Sequence, residues 1–219
     1  MSRAATSGRA SATTHWLAIG DSITHGYQGH DPDQELWLYS YVSTPLWTGT
    51  RDNAGISGDA AYYMVNRIAD LQVRAVNADL ITLCIGRNDC DWQLDLDDFE
   101  ANVNLIVDSL QAVSNAPIIL CSIPYCEYVL LGVPVWENTP DYNARIASVA
   151  SDQGLGAVVD FFGQWGHADF TTYLFDDVHP NHAGQDKLAA VLAVRFPSPT
   201  LLTRSTATAR AAATGRSTV

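Results

Sequence analysis

The chain has 219 residues, the size of one α/β domain, and its 47% hydrophobic content fills a sizeable core and excludes an intrinsically disordered polymer. It carries twenty-four acidic residues against twelve basic ones, a net charge of −12. Arg3, Arg9, Arg204, Arg210 and Arg216 lie in the end segments, so the body sets seven bases against all twenty-four acids; such a surface repels phosphate backbones and excludes nucleic-acid binding as the role.

No apolar run reaches the roughly 18–20 residues that span a bilayer, so no integral membrane segment is expected. The first residues, MSRAATSGRASATTH, contain two arginines but no apolar core of a secretory signal. A cytoplasmic location and a flexible tail over 1–14 follow as expectations. Trp16-Leu17-Ala18-Ile19, closed by Gly20, predicts a buried strand over 15–20 that ends in a tight turn. Residues 21–34, with Gly26, Gly29 and Pro32, read as a loop, and 35–49 as a helix broken near Pro45. Arg51–Gly55 reads as a short extended piece. Residues 59–75 have helical spacing, with Tyr62, Val65 and Ala69 on one side.

Further along, 78–85 (ADLITLCI) predicts a second buried strand. An amphipathic helix follows over 96–113, with Phe99, Val103, Ile106, Val107 and Leu110 inward. A strand over 116–123, an aromatic loop over 125–138 and a helix over 140–153 come next, the helix stopping at Gly154. A strand over 157–161, a polar stretch over 176–184 and a last helix over 182–195 complete the domain, taken as 15–196. Residues 197–219 read as a mobile tail of low complexity. Strands alternating with helices imply a parallel sheet covered on both faces. No internal repeat, heptad pattern or second domain is visible.

The four cysteines, Cys84, Cys90, Cys121 and Cys126, match neither zinc-ribbon nor CxxC spacing. Cys84 and Cys121 sit in apolar runs and read as small buried hydrophobes; free thiols are favoured over disulfides. His25 and His30, with His15, His167 and His182, form no HExxH-type pattern. No metal and no cofactor is therefore expected.

Four polar clusters each follow an apolar run: Gly20-Asp21-Ser22, residues 53–59 (NAGISGD), Gly86-Arg87-Asn88-Asp89 and residues 176–181 (DDVHPN). In a parallel sheet, segments just past successive strands gather at one edge, where open α/β folds bind ligands. Ser22, Gly58, Asn88 and His179 can thus meet although distant in sequence. Taken singly, each cluster is equally an ordinary turn, with Asp21 or Ser22 capping the next element and Asp176-Asp177 favoured by a helix dipole. Taken together they are what acyl transfer needs: a nucleophile, a base, a carboxylate to orient the base, and donors for an oxyanion.

In these four blocks, which run in order from residue 20 to 180, the chain resembles the SGNH/GDSL hydrolase family. Gly20-Asp21-Ser22-Ile23 matches its nucleophile block, Asn53-x-Gly55-x-x-Gly58 the second, Gly86-x-Asn88-Asp89 the third and Asp176-x-x-His179-Pro180 the last. The resemblance implies a three-layer α/β/α, flavodoxin-like fold with a roughly five-stranded parallel sheet. It implies a triad of Ser22 (nucleophile), His179 (base) and Asp176 (orienting acid). It implies an oxyanion hole made of the Ser22 and Gly58 backbone N–H groups and the Asn88 side-chain amide. Asp21 and Asp89 would brace the loops. The expected activity is hydrolysis of small carboxylic esters, closest in look to carbohydrate or acetyl esterases, with acylated sugars among the substrates. Lysophospholipase or thioesterase activity is the nearest alternative. A metal-dependent phosphoesterase and a non-catalytic binding module are the rivals from other classes.

Two positions depart from the family pattern. Arg87 stands where the family often has a small or hydroxyl residue; it either favours acidic or polar substrates or pairs with Asp89 or Asp91. Asp177 stands where the family often has glycine and would add negative charge near the triad. Trp37, Trp47, Trp92, Trp136, Trp165, Tyr125 and Tyr128 fall mostly in loops, where core and lid packing competes with stacking on sugar rings.

Overall fold

The computed structural model describes residues 15–26 and 49–195. Both predicted tails, His30, Trp37, Trp47 and all but the last residue of the helix read over 35–49 lie outside the described residues.

Four parallel strands form the sheet: β1 (His15–Gly20), β2 (Thr50–Gly55), β3 (Leu80–Cys84) and β4 (Ile118–Leu120), in the order β2-β1-β3-β4. A parallel bridge from Cys121 to Val159 adds the fifth position of the flavodoxin-like order. The predicted strand 157–161 is reduced to that bridge. Beyond it the Ser122 hydroxyl accepts from the N–H groups of Phe161 and Phe162, both at 2.9 Å, and turns the chain into a 3-10 turn over Phe162–Gln164.

Both faces of β1, β3 and β4 are buried, so these strands read as continuous apolar runs, whereas the edge strand β2 (TRDNAG) is polar and buried only at Ala54 and Gly55. Side chains alternate along each strand. Leu17 and Ile19 of β1 join Ile81 and Leu83 of β3 in one core. Trp16 and Ala18 join Leu80 and Cys84 in the other. Thr82 is fully buried and accepts the Trp16 indole N–H at 3.0 Å, so neither polar group is orphaned. The first core is covered by helices over Leu96–Gln111 and Thr139–Asp152, the second by His182–Arg195. All four cysteines are buried free thiols.

The helix predicted over 59–75 is two helices, Ala61–Val65 and Ile68–Ala75. Arg67 leaves the helical region (φ −113°, ψ 17°) and sends its side chain to Asp59, with a salt bridge at 2.6 Å. The break shifts the helical phase. Ala61, Met64, Leu71 and Ala75 face the core, while Tyr62, predicted on the apolar side, is 57% exposed. Two predicted loops contain structure. Ser22–His25 is one helical turn, and 125–138 holds an antiparallel hairpin of Val129–Leu130 with Val133–Pro134 and a 3-10 turn over Val135–Asn138.

Candidate active site

The polar clusters converge because β1, β2 and β3 run parallel and in register to Gly20, Gly55 and Cys84. Gly20 is dictated by space. A Cβ there would stand 2.1 Å from the Thr24 hydroxyl and 2.4 Å from the Cys84 carbonyl, so no other residue lets the turn fold back onto β3. Asp21 caps the following helical turn by accepting the Ile23 N–H at 2.9 Å. Ser22 is the first residue of that turn, where a backbone N–H has no partner inside the helix.

The Ser22 Oγ lies 2.9 Å from Nε2 of His179. The other ring nitrogen, Nδ1, lies 2.8 Å from Asp176 Oδ2, so hydroxyl, imidazole and carboxylate form one hydrogen-bonded line. The segment that carries His179 and Asp176 closes on itself. Leu174 bridges Pro180, Phe175 N–H donates to the His179 carbonyl at 2.7 Å, and Asp176 Oδ1 accepts from the N–H groups of Val178 and His179. Burial opposes the Asp176 charge. Hydrogen bonds from the His179 ring and from those two backbone groups outweigh it and hold the carboxyl at about 2. Asp176 is thus ionised wherever the imidazole can act as a base.

Gly58 sits at the tip of a turn closed by Asp59 N–H donating to the Ile56 carbonyl at 3.1 Å. Its φ of +82° favours glycine, and open space lies where a Cβ would point, so the backbone there is accessible. The Asn88 amide donates one of its two protons to the Asp59 carbonyl at 2.7 Å, which ties the third block to the second and leaves one proton for a ligand. Asp89 accepts the Ala61 N–H with both oxygens at 3.0 Å, a second tie between the same blocks.

The bracing acids differ from Asp176. Burial raises Asp21 to about 7, against the pull of the Ile23 N–H and the Arg87 cation. Burial likewise raises Asp89 to about 6, against the Ala61 N–H. Arg87 is buried and pairs with Asp91 at 2.5 Å, not with Asp89. An arginine with its head inside the protein cannot select acidic substrates, so that expectation falls and the pairing one stands. Asp177 is exposed, and its carbonyl accepts the Glu127 N–H at 2.8 Å.

Some supporting residues were not legible in advance. Asn53 donates to the Thr24 and His25 carbonyls and accepts from Gly55 N–H, fastening β2 to the Ser22 turn. It stood in a quoted block, but nothing local assigned it that task. Thr139, the partner of Arg87, carried no signal at all. His25 Nδ1 bonds the Gly55 carbonyl at 2.9 Å. Among the described residues, no three His, Cys, Asp or Glu side chains are grouped to hold a metal ion. Of the loop aromatics, Tyr125 and Trp165 are core, while Trp92 is exposed and meets Tyr63 edge-on.

The model of the GDSL-like lipase/acylhydrolase family matches residues 18–187. A member of the lipolytic G-D-S-L family from Veillonella parvula shares the fold at a TM-score of 0.69 and 20% identity, over 84% of this chain and 98% of its own. The acetylxylan esterase Axe2 from Geobacillus stearothermophilus is similar at a TM-score of 0.66 and 23% identity, over 83% and 93%. No curated protein matches the sequence.

Proposed function

The chain belongs to the GDSL-like lipase/acylhydrolase family and is a carboxylic ester hydrolase; on that premise we propose that Ser22 carries the reaction through an acyl-enzyme intermediate. The observation that supports this most is the line from Ser22 Oγ through the His179 ring to Asp176, with contacts of 2.9 and 2.8 Å. His179 Nε2 takes the Ser22 proton as Oγ bonds to the acyl carbon. The carbonyl oxygen becomes an oxyanion, held by the N–H groups of Ser22 and Gly58 and by the free Asn88 amide proton. Collapse breaks the ester bond, and the departing alcohol takes the proton from Nε2. Water then attacks the acyl carbon, giving a proton to His179; the bond from the acyl carbon to Oγ breaks, the acid leaves, and Nε2 returns the proton to Ser22 Oγ. Asp176 stays ionised throughout. It fixes the imidazole tautomer and stabilises the cation.

The substrate is read as a short acyl ester, acetyl above all, with acylated sugars included. The Gly-Asp-Ser-Ile-Thr and His-Pro-Asn blocks support this, as does the fold shared with an acetylxylan esterase. The hydrolase domain is taken as 15–196. Hydrolysis of p-nitrophenyl esters from acetate to palmitate tests the reading, with Ser22→Ala and His179→Ala as controls. Activity is expected to peak at acetate and to vanish in both variants. Undiminished turnover by Ser22→Ala would sink the mechanism. A maximum at long chains would move the substrate to lysophospholipids or long thioesters.

A further inference from the structure

Of the three segments that supply the proposed oxyanion donors, the third also carries a buried cation. Arg87, next to Asn88, is 1% exposed. Its guanidinium pairs with Asp91 at 2.5 Å and donates to the Thr139 hydroxyl at 3.1 Å, and its Nε has no hydrogen-bond partner among the described residues. Replacing a buried ion pair by well-packed apolar side chains is often neutral or stabilising, so fold stability alone does not account for this arginine.

The turn it belongs to explains it better. Arg87–Asp91 is a helix of five residues, too short to hold itself. No side chain caps its start. It is held by side chains reaching in two directions. On one side, Asn88 and Asp89 tie it to the Asp59 carbonyl and the Ala61 N–H. On the other, Arg87 reaches Thr139, and the Cys90 thiol donates to the Val135 carbonyl at 3.5 Å. Thr139 is a rigid post, because it begins a helix whose Tyr142, Ile146 and Val149 are set in the core. Bonds on one side only would leave the turn free to rock about its own axis, and the Asn88 amide would rock with it. Bonds on both sides fix the rotation. The planar fork of arginine holds Asp91 and Thr139 at once, which a single ammonium does not.

We propose that Arg87 is a positioning residue, which locks the 87–91 turn against Thr139 and so aims the Asn88 amide at the oxyanion. The inference rests on the reading of Asn88 as an oxyanion donor. A site of this kind loses roughly 10²-fold for a misplacement near 1 Å.

The experiment is a set of mutant cycles read by p-nitrophenyl acetate kinetics. Arg87→Met, Arg87→Lys and Thr139→Val are each made in the wild-type and the Asn88→Ala backgrounds. Arg87→Met is expected to lower kcat about 10–100-fold with KM within about 2-fold, since a misaimed donor hurts the transition state and not substrate binding. Arg87→Lys recovers part of that loss. Thr139→Val, which keeps the ion pair, lowers kcat about 3–10-fold. In the Asn88→Ala background each change costs under about 2-fold, because no amide is left to aim. If Arg87→Met does not fold, Thr139→Val and its cycle decide. Unchanged kcat in Arg87→Met or Thr139→Val, beside a damaged Asn88→Ala, overturns the inference alone. So does an equal loss in both backgrounds. Full activity in Asn88→Ala overturns the oxyanion reading and this inference with it.

Discussion

On the proposed mechanism, the base side of the site is held by bonds within one loop and the oxyanion side mainly by bonds between distant segments. Asp176 and His179 stand three residues apart in one self-closed loop, and backbone N–H groups of that loop fix the carboxylate. The oxyanion side gathers Ser22, Gly58 and Asn88 from three distant segments. It is laced by the side chains of Asp21, Asn53, Asp89 and Arg87. One corner is a local device and the other a product of the whole sheet. Their acids differ in the same way. Hydrogen bonds keep Asp176 charged at about 2, whereas burial pushes Asp21 up to about 7.

Ser22→Ala removes the hydroxyl that both sides serve, leaving its backbone N–H in place, and is expected to cut kcat by about 10⁴–10⁶ in the ester assay. Asp176→Asn attacks the base side alone. It preserves shape but offers Nδ1 the wrong partner, so a loss of about 10⁴ in kcat is expected. Asn88→Ala attacks the oxyanion side alone and is expected to cost about 10²–10³ in kcat. A larger loss from Asn88→Ala than from Asp176→Asn would invert the ranking of the two sides.

The two acids also give opposite signs to stability against pH. The folded value of Asp176 lies below its unfolded one, so its contribution is present above about 4 and is lost as pH falls toward 2. The folded value of Asp21 lies above its unfolded one, so the folded state binds the extra proton between about 4 and 7. Its cost is therefore absent at acid pH and grows as pH rises to 7. Asp21→Asn keeps the acceptor for Ile23 and removes that cost. Thermal melts should show the variant gaining on wild type from pH 5 to pH 8, by an amount on the order of a few kcal/mol. A constant difference across that range would show that burial does not govern Asp21. The smallest effect belongs to Asp177→Gly. Its side chain is exposed, and a pH–rate profile matching wild type is expected.

The same division decides what could be read from the sequence. The base side is spelled out within residues 176–180, and β1, β3 and β4 announce themselves as apolar runs. Ser22, Gly58 and Asn88 were legible as types at the ends of strands. What aims them was not. The break at Asn66-Arg67 arises because Arg67 turns to Asp59, a contact no helical periodicity contains. Arg87 is legible as a departure with Asp91 among its candidate partners, but its partner Thr139 is not. Val159 reads as part of a strand but meets β4 only through a single bridge, since Ser122 draws the following backbone into a turn. In each case the deciding partner is far along the chain or depends on packing.

The contact between Ser22 and His179 joins residues 157 positions apart. On the proposed mechanism, a growing polypeptide stays chemically silent over the 157 positions that separate its nucleophile from its base. Hydrolytic power arrives only when the loop before the helix His182–Arg195 leaves the ribosome and docks. A phosphonate that reacts with the activated serine would therefore mark chains whose 176–180 loop has docked and pass over those cut before it, which makes it a gauge of folding as well as of catalysis.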